Sequence, residues 1–226
     1  MQLVIGNKNY SSWSMRPWVL MTQLGIGFDE VKLRFDFREG SDFRRAVARV
    51  SPARTVPVLV DDGFSVWDTL AIVEYLHEKY PGHGIWPVDP HDRARARSLC
   101  AEMHGGFGAL RSHCPMNVEA MLPEVGRRVW TEHEAVRQDV ARIESMWADA
   151  LAASGGPMLF GAYSAADAYF APVCMRLRSY ALPLAPATQA YVDRVVATPG
   201  VARWIADALA EADFLDFEEP YRTARG

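Results

Sequence analysis

Cysteine is scarce in this chain: Cys100, Cys114 and Cys174 are its three, an odd number at wide spacing. They make neither a disulfide framework nor a zinc pattern, which fits a reducing compartment. Long apolar runs are missing as well, and no stretch approaches the roughly eighteen uninterrupted apolar residues a membrane helix needs. The opening Met1-Gln2-Leu3-Val4-Ile5-Gly6 has no basic lead and too short an apolar run for a signal peptide, so a soluble, cytoplasmic protein is expected. Positive charge is not in excess. With 24 Lys and Arg against 28 Asp and Glu, the net charge of −4 offers no electrostatic reason to expect a nucleic-acid or membrane partner. The six histidines (His77, His83, His91, His104, His113 and His133) show no metal-ligand spacing, and no metal is expected.

What is present is the composition of a globular protein, 50% hydrophobic and 23% charged over 226 residues. A chain of this length should fold to about 10,000 Å² of surface and bury about 72% of what it exposes unfolded. Residues 1–80 alternate short strand-like and helical runs. Gln2 to Gly6 reads as a strand, Ser14 to Leu24 as a helix with Pro17 in its first turn, and Glu30 to Phe35 as a half-buried strand. Pro57 to Val60 and Phe64 to Trp67 flank Asp61-Asp62-Gly63, a hairpin signal. Ile72, Val73, Leu76 and Tyr80 then mark one face of a helix that Pro81-Gly82 stops. The order is β-α-β-α-β-β-α, a small α/β domain. Residues 81–90, with three prolines and two glycines, have the composition of a linker. Residues 91–226 read as an all-α domain: His91 to about His113 as one helix, Glu124 to Ala153 as a long one, then Ser164 to Ala181, Pro186 to Ala197 and Pro199 to Ala212. Ser164-Ala165-Ala166-Asp167 is a variant of the capping box.

Three clusters in the first domain can carry chemistry. Tyr10-Ser11-Ser12-Trp13-Ser14 sits between a strand and a helix, where amide N–H groups and the helix dipole favour an anion. Its three serine hydroxyls suit that task, and ordinary N-capping is the competing reading. Val56-Pro57 is a candidate cis bond that would turn the Val56 backbone toward an extended peptide; the plainer reading is that Pro57 opens an edge strand. Asp68-Thr69, at a helix start, can together hold a group bearing both an ammonium and a carboxylate, though Asp is also a preferred N-cap.

Taken together these residues resemble the glutathione transferase family, with a thioredoxin-like N-terminal domain followed by a helical C-terminal domain. Ser11-Ser12-Trp13-Ser14 is similar to the Ser-Ser-Cys-Ser motif of zeta-class and related bacterial transferases. Arg54-Thr55-Val56-Pro57 resembles the family's cis-proline loop, Asp68-Thr69 its acid–hydroxyl pair, and Phe160 to Asp167 its capping motif. The resemblance implies that Ser11, with Ser12, faces the glutathione sulfur. It implies that Val56, beside cis Pro57 and near Trp13, pairs with the cysteinyl unit, and that Asp68 and Thr69 hold the γ-glutamyl end. A homodimer is implied too. Trp13 departs from the family by standing where the zeta class has cysteine, and Thr69 replaces the more usual serine.

The chemistry is reasonable in magnitude. Lowering a thiol from its reference pKa of about 8.5 by two units needs ~2.7 kcal/mol, and one hydrogen bond to a charged group supplies about 1.5–3 kcal/mol. No Cys-x-x-Cys pair occurs in this loop, which disfavours dithiol redox chemistry. The second substrate is expected near His104-Gly105-Gly106-Phe107-Gly108 and Arg111. Glycine costs ~1 kcal/mol within a helix, so these glycines mean either close packing or room for a ligand. The leading expectation is glutathione addition to an electrophile. The rivals are a glutathione-dependent isomerase of maleylacetoacetate type and a catalytically silent binding protein with Trp13 crowding the site.

Overall fold

The computed structural model describes residues 1–225. The first part follows the expected order: β1 (Gln2–Ile5), α1 (Ser12–Gln23), β2 (Asp29–Lys32), α2 (Asp42–Val50), β3 (Val58–Asp61), β4 (Phe64–Trp67) and α3 (Thr69–Lys79). The strands form one sheet in the order β2-β1-β3-β4, with β1 parallel to β2, and β3 antiparallel to both β1 and β4. The β3–β4 hairpin closes on a two-residue turn because Asp62 (φ 48) and Gly63 (φ 85) both take positive φ, the conformation that matches the twist of the strands.

One detail of α1 departs from expectation. The helix starts at Ser12, two residues earlier than the apolar pattern implies, so Pro17 lies in its second turn. Having no N–H, it leaves the Trp13 carbonyl without its helical partner.

After a 3₁₀ turn at Pro81–His83 come α4 (Pro90–Gly105), α5 (Gly108–His113), α6 (Pro123–Glu132), α7 (Glu134–Ser154), α8 (Ala165–Ser179), α9 (Pro186–Ala197) and α10 (Pro199–Glu211). Together with the sheet this is a thioredoxin-like domain followed by a helical domain of transferase type. Within the connecting segment Ile85 and Trp86 are buried, and the Ile85 carbonyl accepts from the Ala165 N–H at 2.8 Å, while Val88 and Asp89 stay exposed.

Two helices expected to be continuous are broken. The run 91–113 divides because Gly106 is extended and Phe107 left-handed (φ 59). A Cβ on Gly106 would lie 2.6 Å from the Glu102 carbonyl oxygen, so only glycine fits there. The run 124–153 divides at His133, whose backbone is extended and whose ring stacks on His113 at 3.7 Å. Nor do Gly105 and Gly108 serve close packing, since a Cβ on either would meet nothing. That service falls to Gly126 of α6, where a Cβ would sit 1.7 Å from the Tyr180 carbonyl oxygen, and to Gly200, where α10 crosses α1 and a Cβ would sit 2.7 Å from the Val19 carbonyl oxygen.

The core centres on α8, of which only Arg178 is exposed. It packs against α1, α4 and α9. Its start is the capping box the sequence announces: Ser164 Oγ accepts from the Ala166 N–H, and Asp167 reaches back to the Ser164 N–H at 2.9 Å. The same carboxylate, 0% exposed, also accepts from the Leu159 N–H at 3.1 Å and the Tyr191 hydroxyl at 2.9 Å. Burial raises the Asp167 carboxyl above the ordinary carboxylate value, and these donors oppose the rise. The folded surface measures 10325 Å². Among the described residues no helix is long and apolar enough to cross a membrane.

Replacing Asp167 by alanine strips the acceptor from four buried donors, the Leu159 and Ser164 N–H groups and the Ser164 and Tyr191 hydroxyls, each costing about 1–3 kcal/mol when left unmade. Asp167→Ala should therefore lower the unfolding free energy by about 3 kcal/mol or more, read from urea transitions. A loss below about 1 kcal/mol would show that the box is dispensable.

Candidate functional site

Ser11 stands at the N-cap position of α1, yet its side chain does not cap the helix. Its hydroxyl instead donates to Ser14 Oγ at 2.7 Å, and Ser14 Oγ also accepts from the Gly6 N–H at 3.2 Å. The capping reading of this serine thus fails, and the hydroxyl is held by a neighbour behind it. Ser12 opens the helix, and its Oγ accepts from Arg176 Nη2 at 3.3 Å.

These serines open on a cavity of about 410 Å³. Of the residues expected at the site, the cavity brings together Ser11, Ser12, Trp13, Val56 and Arg111. The Val56–Pro57 bond is cis, and Pro57 itself is buried behind Val56. No backbone hydrogen bond among the described residues involves the Val56 N–H or C=O.

Asp68, Thr69, His104 and Gly108 do not line this cavity. Asp68 caps α3 by accepting from the Leu70 N–H at 2.9 Å, with a left-handed backbone (φ 70). Its other oxygen lies 3.3 Å from His104 Nε2, and its side chain stays 47% exposed. Thr69 is buried, its hydroxyl turned inward to accept from Arg16 Nη1 at 3.4 Å. Gly108 begins α5 just past the helix break. Trp13 joins the two groups: it lines the cavity and meets the His104 ring edge-on at 4.8 Å.

Three arginines gather around this tryptophan and the serines. Arg16 lies 4.1 Å from the Trp13 ring and Arg111 lies 5.2 Å from it. Arg111 donates through Nη2 to the Met103 and His104 carbonyls, satisfying the end of α4 that the helix break exposes. Arg176, from α8, donates to the Cys114 carbonyl at 2.6 Å as well as to Ser12. Among the described residues no carboxylate oxygen lies within 4.0 Å of any of the three. Burial brings the Arg16 and Arg176 guanidiniums down to about 10 and lowers Arg111 as well. Sequence reasoning finds Arg111 and misses Arg176. The available signal was a lone cation in Ala165 to Leu177, otherwise nearly all apolar.

Tyr10, which the sequence places in the serine cluster without a role of its own, also lines the cavity. Its hydroxyl donates to Glu219 Oε1 at 2.7 Å, and burial together with that carboxylate pushes it up to about 12. The arrangement as a whole offers hydroxyl donors, a helix N-terminus and buried positive charge. It is suited to binding and stabilising an anion. Among the described residues no group of three His, Cys, Asp or Glu side chains is placed to hold a metal ion.

Comparison with known proteins points the same way. Residues 10–79 match the model of the glutathione S-transferase N-terminal domain, and residues 130–207 match that of its C-terminal domain. Glutathione S-transferase D7 of Drosophila melanogaster is 35% identical over 78 residues, which is 34% of this chain and 35% of that protein. Maleylacetoacetate isomerase of Rattus norvegicus is 25% identical over 177 residues, 78% of each chain. The crystal structure of a glutathione transferase homolog from Burkholderia, with bound glutathione, superposes with a TM-score of 0.70 at 25% identity, covering 92% of this chain and 98% of that one.

His104 offers a probe of this site in solution. Burial lowers its pKa from the usual 6.5, Asp68 opposes that shift, and Arg16 and Arg111 add to it. Because the folded value is depressed, the neutral ring's contribution to stability is complete above about pH 6.5 and is lost as pH falls through the folded pKa. In an NMR titration His104 should titrate below 6.5, and Asp68→Asn should move it lower still. A midpoint at or above 6.5 would contradict the cationic environment described.

Proposed function

Because this chain belongs to the glutathione S-transferase family, we propose that it binds glutathione and transfers its sulfur to an electrophile, with the Ser11 hydroxyl donating to the thiolate. The observation that carries this is the hydroxyl chain at the start of α1. In the structure Ser11 gives its proton to Ser14 Oγ, which also accepts from the Gly6 N–H; both hydroxyls rotate, so when a thiolate arrives the bond reverses, Ser14 donating to Ser11 Oγ and Ser11 to the sulfur. One such bond supplies about 1.5–3 kcal/mol, close to the ~2.7 kcal/mol that a two-unit shift requires. The Ser12 hydroxyl and the α1 N-terminus supply the remainder.

In this reading residues 1–80 bind glutathione, 81–90 link, and 91–226 carry the second-substrate side. The cysteinyl unit pairs with the Val56 backbone beside Pro57, against Trp13. The exposed Asp68 carboxylate takes the γ-glutamyl ammonium and Thr69 contributes from its helix start. Arg111 faces the electrophile, with His104 and Gly108 shaping the α4–α5 break behind it. The thiol proton leaves to solvent, the carbon–sulfur bond forms, and the leaving group departs with the bonding pair. We further infer a cytoplasmic homodimer acting in detoxification. The likeness to the rat isomerase over 78% of the chain favours, as a second reading, isomerisation in which the thiol adds and leaves again without being consumed.

A calorimetric titration with reduced glutathione should show saturable binding. Ser11→Ala should retain that binding while conjugation of 1-chloro-2,4-dinitrobenzene falls by roughly 10- to 100-fold, the loss of one charge-assisted hydrogen bond. The absorbance titration of the bound thiol should shift upward in parallel. No binding at millimolar glutathione would overturn the transferase reading in favour of a silent protein. Unchanged conjugation by Ser11→Ala would remove Ser11 from its role.

A further inference from the structure

Glu218 is the one acidic residue lining the cavity among the described residues, and the glutathione chemistry gives it no task. It ends a 3₁₀ turn, Asp216–Glu218, in the segment that follows α10. Both sides of that turn are fastened to one tyrosine. The Leu215 N–H donates to Tyr10 Oη at 3.3 Å, and the Tyr10 hydroxyl donates to Glu219 Oε1 at 2.7 Å. Glu219 also accepts from Asn117 Nδ2 and Arg222 Nε, each at 2.9 Å. Tyr10 immediately precedes Ser11, so a short run of bonds fixes the Glu218 backbone relative to the serine that faces the sulfur.

The Glu218 carboxyl itself is left without a structural partner. Among the described residues it enters no ion pair, although Arg44, Arg54, Arg111 and Arg176 line the same cavity. Burial raises it above the ordinary carboxylate value, Glu219 adds to the rise, and Arg176 opposes it. Arg44 and Arg54 are exposed, where solvent and salt screen their pull. A substrate that fills the cavity expels water and strengthens the preference for the neutral acid. The negative charge that a thiolate carries into the second substrate acts in the same direction. A half-buried carboxyl facing a cavity, and needed by nothing in the fold, is suited to hold a proton and give it up. Phe35, Phe37 and Phe43 line the cavity as well, and their rings suit an aryl group.

We propose that Glu218 is a catalytic acid that protonates the second substrate, and that this protein takes aryl-substituted α,β-unsaturated carbonyl compounds. The proposal rests on the transferase reading, since glutathione must supply the thiolate. The thiolate attacks the β-carbon and the carbon–sulfur bond forms. The π pair of the alkene moves toward the α-carbon and carbonyl as an enolate, and the Glu218 proton passes to the α-carbon. The carboxylate then regains a proton from solvent, into which the thiol proton went, so the adduct holds every atom of both reactants. Substitution on 1-chloro-2,4-dinitrobenzene needs no such proton, because chloride departs with the bonding pair.

The test compares 4-phenyl-3-buten-2-one with 1-chloro-2,4-dinitrobenzene, using the full-length protein and glutathione. The thiolate fraction rises with pH while the neutral acid falls, so kcat/KM for the enone should pass through a maximum, and that for the dinitrobenzene should rise to a plateau. In Glu218→Gln the enone-to-dinitrobenzene ratio of kcat/KM should fall by about 100-fold, the low end of what a positioned acid contributes, and the falling limb should vanish. Glu218→Asp, which keeps a carboxyl, should recover part of the ratio and the limb. In heavy water the unaltered protein should place deuterium on one face of the α-carbon, and Glu218→Gln should place it on both. Deuterium on both faces with the unaltered protein overturns the proposal without any variant having to fold. An unchanged ratio in Glu218→Gln overturns it too. So does an equal loss with both substrates, which would make Glu218 the base for the thiol proton or a support for the cavity. Turnover of the dinitrobenzene but not of the enone removes this proposal alone, whereas failure to bind glutathione removes the transferase reading and this proposal with it.

Discussion

A carboxylate with no exposed surface determines where the central helix of this protein begins, and the site depends on where that helix lies. Asp167 gathers donors from its own turn, from Leu159 and from Tyr191 on α9, so α8 can enter the core at only one register. Once it does, nearly every residue of α8 is buried against α1, α4 and α9. The N-terminus of α1 bears the serines, and α8 bears Arg176. Because the two helices pack directly on each other, the hydroxyl side and the cationic side of the cavity belong to one rigid unit. Neither depends on a mobile loop for its position relative to the other.

The same packing explains how this protein tolerates two buried cations and a half-buried one, none with a carboxylate in contact. Each guanidinium is given carbonyls, hydroxyls or aromatic faces instead. Arg16 lies between the rings of Trp13 and Tyr169 at 4.1 and 5.0 Å, and such contacts are worth about 2 kcal/mol or more when desolvated. Trp13 therefore has a physical task where related motifs carry cysteine: its ring is in contact with Arg16, Arg111 and His104. The remaining electrostatic cost is the reason a ligand anion would be welcome.

Short-range signals made much of the fold legible. The Asp-Gly turn, the capping box and the prolines opening α9 and α10 each act within a few residues, and each appears where the sequence places it. The two helix breaks were not legible for the opposite reason. Nothing local distinguishes a tolerated glycine at Gly106 from one that ends a helix, and His133 carries no breaker chemistry of its own; its ring finds a partner twenty residues away in sequence, His113. The serines and the cis-proline loop could be read because they form contiguous motifs. Arg176 could not, because it meets Arg111 across 65 residues of chain, and only the packing of α8 brings them to one wall.

The two serines at the start of α1 illustrate how that wall is made chemically directional. A hydroxyl has one proton to give, and a neighbour that can only donate to its oxygen leaves that proton free for another acceptor. Ser11 gives its proton to Ser14 Oγ, itself anchored by the Gly6 N–H, and turns it outward only when the pair of hydroxyls rotates. Behind Ser12 stands Arg176, which donates to its oxygen and cannot accept in return. The second arrangement is the more rigid of the two, since a guanidinium fixes the direction of the bond while a hydroxyl can rotate. In the proposed reaction Ser11 thus adapts its proton to the sulfur, whereas Ser12 is pre-set as a donor by a residue from the other domain. Removing the charge at Arg176 would free Ser12 to turn inward, so the first domain's anion site is completed only when the helical domain is docked on it.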